Sequence, residues 1–151
     1  MPLIQALHGM AATAWIGGIF FAYMALRPAA NKTLEPAQRL QLWSAAYSHF
    51  FPWVWTFIAV LLLTGYSDLF LRFGGFGSGA LYLVVMHLTG LLMVAFFFYL
   101  YFGLYRKLCA AVDAEEIPKA ASVMNRMRPV MATNLVLGLF ITCVGIAGPM
   151  L

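Results

Sequence analysis

Residues 80–107 read ALYLVVMHLTGLLMVAFFFYLYFGLYRK, and this stretch decides the fold class. From Ala80 to Tyr105 it contains no Asp, Glu, Lys or Arg, and it ends abruptly at Arg106-Lys107. A helix needs about 20 apolar residues to cross a hydrocarbon core. A run this long, closed by paired basic residues, reads as a transmembrane helix.

Working outward, three more stretches have the same character. One runs over about residues 3–26 and is closed by Arg27-Pro28, one over 44–71 between Arg39 and Arg72, and one over 129–151 after Arg128-Pro129. The predicted fold class is all-α, one domain over 1–151, an integral membrane four-helix bundle of up-down-up-down order. Composition agrees: 64% of the 151 residues are hydrophobic and 9% are charged. A soluble domain carries about 25% charged residues, so a soluble enzyme and a nucleic-acid-binding module are both excluded. The partner that the surface calls for is the lipid bilayer.

The connections differ in kind. Residues 28–43 read as a loop with a helical lead-in, and 72–79, RFGGFGSG, as a tight Gly-rich turn. Residues 106–128 are the most polar stretch, read as short amphipathic helices lying at the interface. With Arg27, the connections 28–43 and 106–128 hold eight of the nine Lys and Arg residues, leaving Arg72 alone on the opposite side. The positive-inside rule then predicts a multi-pass protein of the bacterial inner membrane with both connections cytoplasmic and both termini periplasmic. Small residues, Gly138 among them, permit close helix approach, and the pattern is compatible with a homo-oligomer.

Chemistry is carried by the histidines, because ionisable groups inside a span are costly without a partner or ligand. His8 and Arg27 are 19 residues apart, as are His87 and Arg106. At about 1.5 Å per residue, each imidazole lies about 28 Å from its basic helix end. The two therefore share one level, in the outer half of the membrane, on the first and third helices. Two imidazoles at one depth suit axial ligation of haem b. Gly90 leaves room for a macrocycle, Trp15 can wall its edge, and Arg72 is available to a propionate. Copper bound by the same pair, and simple packing, remain open alternatives. His49 has no histidine at its own level and reads as interfacial.

Met124, Met127 and Met131 fall on one helical face. Soft thioethers suit Cu(I), but the stripe reads first as core packing. Cys109 and Cys143 form no CxxC or CxxCH, so covalent haem attachment has no support.

The first helix, His8-Gly-Met-Ala-Ala-Thr-Ala-Trp15-Ile-Gly17-Gly18-Ile-Phe20, resembles the first-helix motif of the copper-resistance-D-like (CopD) family, a His followed by Trp-x-Gly-Gly-x-x-Phe. Arg39-Leu-Gln-Leu-Trp-Ser44, Leu63-Thr64-Gly65 and Arg126-Met-Arg128-Pro-Val-Met-Ala-Thr-Asn134-Leu-Val-Leu-Gly138 are similar to its later helices. The resemblance implies copper uptake across the inner membrane. It extends distantly to HemJ-type protoporphyrinogen oxidases, related four-helix proteins associated with haem, from which His87 is a departure. The resulting expectation is a membrane b-type haem protein in redox or electron transfer, ligated by His8 and His87. A copper transport or resistance protein, and a haem-dependent membrane oxidase of a small quinone- or porphyrin-like substrate, stand as alternatives.

Overall fold

A computed structural model describes residues 2–75, 77 and 80–150, so Phe76, Ser78 and Gly79 of the expected Gly-rich turn lie outside the described residues. Four helices make up the fold: α1 (Pro2–Thr33), α2 (Pro36–Phe73), α3 (Leu81–Asp113) and α4 (Ile117–Met150). Each is long and apolar enough to cross a membrane, and among the described residues there is no strand. At 32–38 residues and about 1.5 Å per residue, each exceeds a hydrocarbon core of about 30 Å. The helices therefore continue past the expected spans.

Three expected boundaries are corrected. Arg27-Pro28 does not end α1. The turn Ala22–Leu26 just before it is π-helical, which shifts the carbonyl that Pro28 would otherwise leave without a donor, and the helix runs on to Thr33. Nor does α4 begin at Pro129, which lies inside it; the carbonyl that this proline frees belongs to Asn125, an exposed residue that can be solvated. Residues 106–128 are not separate helices at the interface. Arg106–Asp113 completes α3, and α4 starts at Ile117. Leu108, Ala111, Ala120 and Val123 are buried together in the common core, and this mutual packing takes their apolar faces away from the lipid.

The turns follow local chemistry. Pro36 keeps Glu35 extended (ψ 155°), and Glu35 with Gln38 forms a capping box at the start of α2. Gly74 takes φ 66° at the end of α2, and the Gly75 amide donates to the Leu69 carbonyl at 3.0 Å, a Schellman closure that favours glycine. Between α3 and α4, Glu115 adopts φ 56°.

Alternation of direction puts the 34–35 and 114–116 turns, with eight of the nine basic residues, near one end of the bundle, called here the basic end. The core is closed in this half. Trp43, Tyr47 and Phe51 stack along α2, and the Phe97 and Tyr105 rings of α3 meet Phe51 edge-on. Without a hydrophobic drive between helices in lipid, close packing must hold the bundle together. Gly138 illustrates it: a Cβ there would lie 2.8 Å from Ile16 Cγ1 and 3.3 Å from Met93 Cε, so α1, α3 and α4 converge on a missing side chain. Towards the far end the packing loosens. No residue of α3 between Leu81 and Leu92 is buried. Between the polar ends the outer surface is largely apolar, as at Leu63 and Leu81, 71% and 74% exposed, and suits lipid rather than water.

Candidate functional site

The far half brings His8 and His87 to the same turn of α2. His8 Nδ1 lies 2.8 Å from Thr64 Oγ1. The Thr64 hydroxyl donates to the Val60 carbonyl at 2.6 Å, so its single proton is engaged and it accepts from His8 Nδ1–H. With the hydroxyl proton donated to Val60, the tautomer assigned to His8 carries its proton on Nδ1, and Nε2 keeps its lone pair. On the other side, the His87 ring meets Tyr66 edge-to-face, with centroids 5.4 Å apart.

Gly65 stands between these contacts. Successive helical residues are about 100° apart, so Gly65 is offset by that angle from Thr64 on one side and Tyr66 on the other. It also falls seven residues after Ile58, on the face that carries Phe51, Val54 and Ile58 into the core. At Gly65 that face carries no side chain, and the His8 ring lies over it, while His87 meets the same turn through Tyr66. A Cβ on Gly65 would approach His8 Cε1 to 3.2 Å.

The other expected site residues are placed as follows. Trp15, two turns along α1 from His8, is buried and meets Phe97 edge-on at 6.3 Å; it belongs to the closed core beneath the histidines. Gly90, one turn beyond His87, faces α4, where a Cβ would lie 3.7 Å from Ile141 Cδ1. Arg72 is half exposed, 3.8 Å from Asp68 Oδ2 and 5.0 Å from the Phe73 ring centroid. His49 is exposed on the basic half of α2. Three residues at the site were not singled out from sequence: Thr64, Tyr66 and Gly65 as the seat of the His8 ring. A hydroxyl in the run Leu-Leu-Leu-Thr64-Gly65 was the available signal, since apolar spans rarely carry one without a partner. Asp68 completes a stripe with Thr64 and Arg72 at i, i+4 and i+8, and its buried Oδ1 has no hydrogen-bond partner among the described residues.

Among the described residues no group of three His, Cys, Asp or Glu side chains is placed to hold a metal ion. The histidine pair can offer two nitrogens, so further ligands to a metal there would have to come with it. The methionine stripe is core: Met124, Met127 and Met131 are all buried, and Tyr47 donates to Met131 Sδ at 3.0 Å.

Comparison with known families finds one match, to the model described as Copper resistance protein D (CopD), over residues 44–147. The match covers about two thirds of the chain, from within α2 to near the end of α4, and leaves out the His8–Phe20 motif. No curated protein and no solved structure matches the chain.

Proposed function

The chain belongs to the copper resistance protein D family, and we propose that its far half binds haem b between His8 and His87 for electron transfer. The observation that carries this reading is the pair of imidazoles brought to one turn of α2, His8 on Thr64 and His87 on Tyr66. Haem brings its own ring nitrogens and would need only two further ligands, which His8 and His87 would supply; among the described residues no group of three His, Cys, Asp or Glu side chains is placed to hold a bare metal ion. When bound between His8 and His87, haem would supply one-electron redox chemistry.

The chain's own residues have definite tasks in this scheme. Thr64 holds the His8 ring so that Nε2 is presented, a role that partners of ligating histidines commonly play. Trp15 and Phe97 close the core below and keep water out. Arg72, shared with Asp68, supplies positive charge for a propionate at the far end. The distribution of basic residues supports a cytoplasmic basic end, which would put this site and both termini on the periplasmic side, with the redox partner approaching from there.

A second reading is favoured by the family description: copper bound by the same two imidazoles, with the protein acting in copper resistance. The optical spectrum of the purified protein separates the two. Sharp α and β bands on dithionite reduction, lost in His8→Ala and in His87→Ala but kept in His49→Ala, are the result expected for haem. A colourless protein holding stoichiometric copper would replace this reading with the second, and loss of haem in His49→Ala alone would remove the histidine assignment.

A further inference from the structure

We propose that the basic end carries a separate binding site for a phosphate-class oxyanion, held between Arg27 of α1 and Arg128 of α4. The site is a cleft of about 20 Å³ whose lining includes Tyr23, Arg27, Trp43, Tyr47, Arg128 and Met131. A water needs about 10–15 Å³ by a comparable measure. The cleft therefore accepts one or two oxygen-sized groups, with the rest of the ligand left at its mouth.

Charge argues for an anion. Arg27 and Arg128 are half-buried, and the cations acting on Arg128 are Arg27 and Arg39. Among the described residues, the ion pairs are Arg72 with Asp68 and Lys119 with Glu116, so no carboxylate pairs with this cluster. Arg39 instead donates to Asn31 Oδ1 at 3.2 Å, and the Arg27 guanidinium lies 5.0 Å from the Tyr23 ring centroid. Partly desolvated guanidinium groups repel one another, and an oxyanion accepting from both relieves that repulsion through charge-assisted, forked hydrogen bonds. The same charges disfavour Cu(I) at the adjacent methionines.

Two further features fit. Tyr47 is 3% exposed, and its hydroxyl donates to Met131 Sδ, a weak acceptor that a phosphate oxygen would outcompete. The π-helical turn Ala22–Leu26 lies against the cleft through Ala22 and Tyr23; such widened turns recur at functional sites. The ligand chemistry is a phosphate, supplied either by an anionic lipid headgroup or from solution. This site lies at the opposite end of the bundle from His8 and His87 and does not rest on the reading of that end.

The test uses the full chain. In nanodiscs of phosphatidylcholine with or without phosphatidylglycerol, retained lipid is counted by native mass spectrometry; in detergent, the melting temperature is followed on adding inorganic phosphate. Wild type should retain phosphatidylglycerol selectively, or gain stability with phosphate, or both. The lipid arm alone identifies a headgroup ligand, and the phosphate arm alone a soluble one. Arg27→Gln and Arg128→Gln should each weaken the response about tenfold. Arg128→Lys, which keeps the charge and loses the fork, should also weaken it, and Tyr47→Phe should do so by a few-fold. Arg106→Gln and Lys107→Gln, exposed at the same end, should leave it unchanged. No response in either arm of wild type, no effect of the Arg27 and Arg128 substitutions, or an equal loss in the Arg106 and Lys107 controls would overturn the proposal.

Discussion

Replacing Thr64 by valine tests whether the Thr64–His8 contact serves a ligand or only joins two helices. Thr64 is 9% exposed, and valine fills nearly the same volume, so the loss is confined to the hydroxyl. The Val60 carbonyl keeps its helical N–H partner, whereas His8 Nδ1–H loses the acceptor 2.8 Å away. Interhelical hydrogen bonds in membranes average about 0.6 kcal/mol and reach about 1.7. A lost contact between helices alone therefore predicts destabilisation within that range, equal with and without cofactor. If His8 ligates a metal, Thr64 is the group that orients it. Losing such a group weakens metal affinity about 10- to 100-fold, or about 1.4–2.8 kcal/mol at 1.4 kcal/mol per decade. The measurement is a haem titration followed by absorbance, paired with denaturation of apo and loaded protein, for wild type, Thr64→Val and Thr64→Ser. The valine variant should lose affinity within that range and destabilise the loaded protein more than the apo protein, and serine should restore both. Haem affinity in Thr64→Val within twofold of wild type would refute the assignment of His8 as a ligand oriented by Thr64.

Gly138→Leu should destabilise the bundle by about 1–3 kcal/mol through overpacking against Ile16 and Met93, read as a lower denaturation midpoint in detergent. Glu115→Gly should raise stability by about 0.5–1 kcal/mol, because Glu115 holds φ 56°, where a side chain is strained and glycine is not; an unchanged midpoint would show that the turn relaxes on its own. A periplasm-specific reporter fused near Ala114 should be inactive and a cytoplasm-specific one active, and the reverse pattern would invert the topology. Arg72→Gln should lower the reduction potential of the reconstituted haem protein, since it removes a positive charge near the ferric-to-ferrous change; an unchanged potential would assign Arg72 to Asp68 alone.

Composition and the apolar run from Ala80 to Tyr105 sufficed for the membrane class, the helix count and the order of the bundle, because each backbone polar group in lipid must be satisfied within its own helix. A helix of that kind is written locally, in consecutive residues. The common level of His8 and His87 was legible for the same reason: rise per residue is fixed, and two spacings of 19 can be compared without a structure. Where the helices end was not legible. Pro28 and Pro129 are breakers by local rules, yet a π-turn and a solvated carbonyl absorb them. The fate of residues 106–128 depended on a partner, since Leu108 and Ala120 make as good an interfacial stripe as a buried one until α3 and α4 fold together. The candidate sites lie further still from the sequence. Thr64 meets His8 across 56 positions, and Arg27 and Arg128, 101 positions apart, line one cleft. Only the packing angle between helices decides which faces meet, and that angle is set by the shapes of side chains on both helices at once, Gly138 and Gly65 included, rather than by the periodicity of either.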